Sequence, residues 1–236
     1  MVVYDRRHPR RFPSACTAVV LSSTLTLTAA HCVVIANSYT ELNNRRYKTM
    51  IQYKLSHQSN YTNSKVVRAV AHPAYQNHAN DIGVLHTQPV NLTEYGRLSP
   101  IHYTTLYGQK AALVGYGRIN RTTGIQPEPQ VLDVIVTECM PMYAPEICFA
   151  PPCSPLPYER KAAICPGDSG GPAIHDSGVI AISSTTDTSN CDLYLNYYYY
   201  INKIRREAIG YKLGRSIPTS PFIDWISSAA NETGKV

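Results

Sequence analysis

The chain has 236 residues, enough for one large β domain or two small ones with a sizeable core. Hydrophobic residues make up 44% and charged residues 16%, which excludes a disordered chain; the apolar stretch at 18–30 is broken by Ser and Thr and is too short to cross a membrane. The net charge of +6 comes from clusters such as Arg6-Arg7, Arg10-Arg11, Arg45-Arg46 and Arg205-Arg206, but no nucleic-acid module accompanies them, so they read as solvated faces.

Short apolar runs separated by Gly, Pro, Asn and Ser follow one another along the chain. Val19-Val20-Leu21 and Leu25-Thr26-Leu27-Thr28 predict two strands turning at Ser22-Ser23. Runs at 66–71, 82–85, 111–114, 131–136 and 179–182 continue the pattern. Many β-branched runs of this length, without helices between them, predict an all-β chain of antiparallel barrels or sandwiches. Pro151-Pro152-Cys153-Ser154-Pro155-Leu156-Pro157 reads as a proline-rich loop. One helix is predicted, at the end: Pro221 opens it, and Phe222, Ile223, Trp225, Ile226 and Ala229 share one stripe.

Seven cysteines suit an oxidising compartment, and none lies in a CxxC or a spaced Cys/His zinc pattern. The sequons at Asn60, Asn91, Asn120 and Asn231 point the same way, toward a secreted glycoprotein. Residues 1–7 lack the apolar segment of a secretory leader, so the chain reads as a mature or truncated form, or as one whose leader is missing.

Three short motifs carry chemistry. A serine hydroxyl is a poor nucleophile at neutral pH; it needs a base, an acceptor that orients the base, and N–H donors for the oxyanion. Gly167-Asp168-Ser169-Gly170-Gly171-Pro172 supplies a serine between glycines that permit a tight turn and bare N–H groups. Thr28-Ala29-Ala30-His31-Cys32 places a histidine just beyond a strand and beside a cysteine. Asn80-Asp81-Ile82-Gly83-Val84-Leu85 puts an aspartate before a strand, by itself an ordinary turn signal.

In this order, and with separations of 50 and 88 residues, the motifs resemble the three catalytic motifs of the trypsin-like serine proteases. His72-Pro73-Ala74-Tyr75, Val114-Gly115-Tyr116-Gly117, the segment at 134–139, Glu146-Ile147-Cys148 and Phe222-Ile223-Asp224-Trp225-Ile226 are similar to further landmarks of that family. The resemblance implies two six-stranded antiparallel β-barrels with the active site between them, followed by a C-terminal helix. It divides one peptidase domain, 1–236, into an N-terminal barrel at about 1–105 and a C-terminal barrel and helix at about 106–236. It further implies that Ser169 attacks the peptide carbonyl, that His31 acts as base and then acid, and that Asp81 fixes the histidine tautomer. The N–H groups of Gly167 and Ser169 would form the oxyanion hole. The implied partners are protein or peptide substrates and protein inhibitors, with no nucleic acid and no membrane. No cofactor is implied and no metal, since the other histidines show no HExxH-like spacing. The family's disulfides correspond to Cys16–Cys32, Cys139–Cys148 and Cys165–Cys191, which leaves Cys153 unpaired.

Departures from the family pattern carry expectations of their own. Six residues before Ser169 stands Ala163, where trypsins carry the aspartate that binds Arg or Lys. With Ile164 beside it and Ser183 on the opposite wall, the resemblance implies a narrow apolar pocket and a preference for small or medium apolar residues. Thirty-three residues separate Cys191 from Trp225, more than the family uses, and include the tyrosines at 197–200; they read as a strand and a long surface hairpin. Active members begin with an Ile-Val-Gly-Gly-like terminus whose ammonium pairs with the Asp before the catalytic Ser, here Asp168. Val2-Val3 is a partial likeness only, so weak activity is expected unless Val2, after loss of Met1, or a nearby Arg or Lys takes that role. Two other readings stand beside the active enzyme: a protease homologue that binds without cutting, and a purely structural β protein, which leaves the three motifs unexplained.

Overall fold

The computed structural model describes residues 1–8, 12–43, 45–55, 58–118, 126–139, 145–150, 164–185 and 215–232. Alternating burial along the chain marks several of its strands. In β5 (Tyr47–Tyr53) Thr49 and Ile51 turn inward; in β8 (Lys110–Gly115) Ala111, Leu113 and Gly115 do so, and in β9 (Gln130–Thr137) Val134 and Val136. The first half forms a seven-stranded antiparallel sheet, a half-barrel, in the order β2-β1-β5-β6-β7-β4-β3. Its strands are β1 (Val2–Asp5), β2 (Ser14–Ala15), β3 (Val19–Val20), β4 (Leu25–Thr28), β5, β6 (Thr62–Ala71) and β7 (Gly83–Thr87). The second half is a closed six-stranded barrel, β10-β13-β12-β11-β8-β9, which adds β10 (Ile147–Ala150), β11 (Pro172–His175), β12 (Gly178–Thr185) and β13 (Arg215–Pro218). The two expected barrels are thus one closed barrel and one half-barrel of seven strands, two of them only two residues long. Val2 lies within β1, opposite Ala15 and Met50.

The expected C-terminal helix is present as a 3₁₀ turn over Ser220–Phe222 running into α2 (Ile223–Asn231). Its Phe222, Ile226 and Ala229 join the larger core cluster, with Leu27, Ile82, Val84 and Leu85 from the half-barrel and Ile182 and Ile217 from the second barrel. A second cluster fills the closed barrel around Phe149, Ile180, Leu113, Val134 and Val136.

One helix goes beyond the sequence expectation. Chain 30–43, to which the sequence pattern assigns no helix, forms the 14-residue helix α1 (Ala30–Asn43). Ala30, Cys32, Val33 and Ala36 are its buried face. The contact with β7 is close: a Cβ at Gly83 would lie 2.6 Å from Val33 Cγ2. The disulfide Cys16–Cys32 pins the first turn of α1 to the segment after β2, and Cys139–Cys148 joins the end of β9 to β10. Cys165 is also disulfide-bonded; Cys191 and Cys153 lie outside the described residues, as do Ala163 and the tyrosine-rich segment at 197–200.

Candidate active site

His31 stands in the first turn of α1, and Asp81 lies just before β7, which pairs with β4 and brings the aspartate under the helix start. Asp81 is fully buried. Its Oδ1 accepts the backbone N–H of His31 at 2.8 Å, and its Oδ2 lies 2.7 Å from His31 Nδ1. Ser184, near the end of β12, donates its hydroxyl to the same Oδ2 at 2.5 Å. Burial alone would raise the carboxyl pKa, but the His31 ring, the Ser184 hydroxyl and the His31 N–H outweigh it and hold the pKa below its ordinary value. An ionised carboxylate can only accept, so the ring proton sits on Nδ1 and the lone pair of His31 is on Nε2. The helix start, with its partial positive charge, favours the same anion.

Ser169 is held by a loop whose backbone needs glycine. Gly167 has φ +105° and Gly170 φ +83°, and a Cβ at Gly170 would stand 2.1 Å from Thr28 Oγ1. Gly170 N–H donates to Ser183 O at 2.7 Å and Gly171 N–H to Asp168 O at 2.9 Å. The Ser169 hydroxyl donates to Ser184 O at 3.4 Å. Among the described residues it makes no hydrogen bond to His31, although His31 Nε2 and Ser169 O both contact Cys32 Sγ, at 3.4 and 3.8 Å. A disulfide sulfur carries no proton, so these are packing contacts. The N–H groups of Gly167 and Ser169 have no acceptor among the described residues.

Asp168 turns away from this face. Its Oδ1 accepts Gly117 N–H at 2.7 Å and its Oδ2 accepts Cys165 N–H at 2.8 Å. Gly115 and Gly117 open the cradle, since a Cβ at Gly115 would sit 1.9 Å from Oδ1 and one at Gly117 2.4 Å from Cγ. Burial raises the Asp168 pKa against these two N–H donors, and no cation pairs with it among the described residues. The Met1 amino group donates instead to Cys16 O at 2.8 Å, and burial lowers its pKa to about 5.

Thr17, which the sequence does not single out, joins the two halves at this loop. Its Oγ1 donates to Gly167 O at 2.8 Å and accepts Tyr116 N–H at 3.0 Å, and its own N–H donates to Ser169 O at 2.9 Å. Its carbonyl accepts the Thr28 hydroxyl at 2.9 Å. Ser184 likewise carries no local signature. Neither residue sits in a recognisable motif, and the partners that tie each to the other half, Gly167 and Tyr116 for Thr17 and Asp81 for Ser184, lie about a hundred residues or more away in sequence, so only the fold brings them to the site.

The remaining residues fall as follows. Ile164 is buried in the barrel cluster and Ser183 is buried on β12. His78 stands beside the candidate histidine, its ring centroid 6.5 Å from that of His31. It is carried by a tight turn in which Asn77 and His78 have φ 47° and 71° and Gln76 pairs with Ala79. Cys16, His31 and Cys32 are a ligand-type cluster, but the two sulfurs are bonded to each other and offer no thiolate to a metal.

A half-barrel and a closed barrel, with a histidine held by a buried aspartate in the first and a glycine-held serine in the second, define the chymotrypsin fold. The trypsin family model matches residues 1–206, and the chain belongs to that family, which makes it a serine-type endopeptidase, a hydrolase of proteins or peptides. Its structure is similar to that of neuropsin, a serine protease expressed in the limbic system of mouse brain, with a TM-score of 0.67 and 19% sequence identity. The match covers 98% of this chain and 93% of that one.

Proposed function

We propose that this is a secreted endopeptidase that cleaves through a Ser169–His31–Asp81 triad and an acyl-enzyme, without trypsin-like specificity. The observation that carries the reading is the grip of Asp81 on His31: both carboxylate oxygens are engaged, one by the helix N–H and one by the ring. That grip leaves Nε2 as the base. Rotation of the Ser169 side chain away from Ser184 O gives Nε2 the hydroxyl proton as Oγ attacks the substrate carbonyl. The carbonyl oxygen, now an oxyanion, takes hydrogen bonds from the Gly167 and Ser169 N–H groups, both without an acceptor among the described residues. The imidazolium, stabilised by Asp81, passes its proton to the departing amine, and water then releases the acyl group by the same steps in reverse.

Ala163 offers no counter-charge, so an Arg or Lys side chain would be desolvated there without a partner, and a small or medium apolar residue before the scissile bond is favoured. Secretion and glycosylation are supported by the disulfides and by the exposed sequon residues Asn60, Asn91 and Asn231. No described helix is long and apolar enough to cross a membrane.

Two observations favour the second reading, a homologue that binds without cutting: Asp168 has no cation partner among the described residues, and Ser169 Oγ bonds to Ser184 O. A serine-directed fluorophosphonate decides between them. Labelling at Ser169 that disappears in Ser169→Ala and His31→Ala is the expected result. Labelling elsewhere, or none, favours the binding protein.

A further inference from the structure

The outer face of α1 is unusual for a surface helix. Val34, Ile35 and Leu42 are 45%, 38% and 75% exposed, and with Val67, Ile101, Val131 and Ile174 they make up the exposed large hydrophobic side chains among the described residues. Single exposed apolar residues are ordinary, but three on one helix are not scattered. At 3.6 residues per turn, Val34, Ser38 and Leu42 follow one another up the same side, with Ile35 alongside. That side is opposite the buried Ala30, Cys32, Val33 and Ala36. His31 lies on it too, one turn below Val34 and Ile35, so the stripe starts at the histidine of the Asp-His pair. Local structure gives no reason for it: exposed β-branched residues weaken a helix relative to Ala.

We propose that Val34, Ile35 and Leu42 form an extended docking face for apolar side chains of the polypeptide substrate, outside the pocket for the residue before the scissile bond. The proposal rests on the cleavage chemistry above, because only a chain held across Ser169 and His31 must pass the foot of the stripe. From His31 to Leu42 the helix rises about 16 Å, the length of about five residues of extended chain. The face therefore reads positions within about five residues of the cut. A second copy of this chain is a poorer occupant, since three side chains bury far less than the roughly 1,200 Å² of a stable interface.

The test compares the native chain with the triple variant Val34→Gln, Ile35→Gln, Leu42→Gln, whose changes are all at exposed positions and use a good helix former. Two ten-residue peptides share one cleavable centre, one flanked by Leu and Ile and the other by Ser and Gln. The native chain is expected to cleave the apolar-flanked peptide at least tenfold better in kcat/KM. The variant should lose that preference while its rate of fluorophosphonate labelling at Ser169 stays unchanged. A preference absent from the native chain, or retained by the variant, overturns the proposal. Labelling slowed along with cleavage also overturns it, by showing a disturbed centre rather than a lost contact. Binding of the same peptides to the Ser169→Ala chain, read by fluorescence anisotropy, separates this inference from the catalytic one. Apolar-selective binding lost in the triple variant upholds the docking face even if the native chain proves inactive, and equal binding overturns it. A dimer of the native chain in sedimentation that the triple variant dissolves would assign the face to a second copy and overturn the proposal.

Discussion

Asp81 is buried and Asp168 half-buried beside the same loop, yet their surroundings move their titrations in opposite directions. Asp81 binds its proton less tightly folded than unfolded, so its partners add stability above the unfolded value near pH 4, and that stability is lost as pH falls through the lowered folded value. Asp168 is the reverse case. Its folded pKa is raised, so ionising it costs stability, beginning as pH rises past about 4 and complete once pH exceeds the raised value. Asp168→Asn keeps an acceptor in the Gly115–Gly117 cradle but cannot ionise. The stability of that variant relative to the native chain is therefore expected to increase as pH goes from about 4 to 7, measured by urea unfolding at each pH. A flat difference would mean that the Asp168 carboxyl is unperturbed.

At the scale of elements, short apolar runs bounded by turn residues made β4, β6, β7, β8, β9 and β12 legible, because a strand packed against a core is written as a brief apolar stretch. The helix α1 left no such trace. Val33, Val34, Ile35 and Thr40 are poor helix formers, and apolar residues on both its buried and exposed faces blur the 3.6-residue stripe. Tertiary packing on β5, β6 and β7, and a disulfide at its first turn, hold what local preference does not. The pairing of Cys16 with Cys32 was available from the family resemblance, whereas the helix it anchors was not. Replacing both cysteines by Ala removes a cross-link over 16 residues and is expected to cost about 3 kcal/mol in urea unfolding, as loop-closure entropy returns to the unfolded chain. The motif residues His31, Asp81 and Ser169 could be picked out because each carries a local signature. Thr17 and Ser184 have none, and their importance exists only in the contact between distant segments.

Across the whole molecule, the two halves share one core rather than meeting at a polar seam. Ile182, Ile217 and α2 of the second half pack into the same cluster as Leu27 and Ile82 of the first, and His72 stacks edge-on against Phe222 and Trp225 at 5.2 and 4.8 Å. The ion pairs that also join the halves, Lys54–Glu128 and Arg68–Glu232, are at the surface, where solvent screening leaves them little weight. Thr17 is a different kind of link, buried and satisfied on both sides of its hydroxyl. Thr17→Val keeps the volume and strands the Tyr116 N–H and the Gly167 carbonyl. It is expected to lower stability by about 2–4 kcal/mol in urea unfolding, taking about 1–3 kcal/mol for each unpaired group with some relaxation. A cost below 1 kcal/mol would show that water replaces the hydroxyl freely. The Thr17 amide, bonded to the Ser169 carbonyl from the far half of the chain, also makes a reporter of motion. Its proton can exchange with deuterium only when the halves part at the nucleophile loop. If they separate only on complete unfolding, that one amide will exchange as slowly as the centre of β12, and the loop beside Ser169 will have the lifetime of the entire fold.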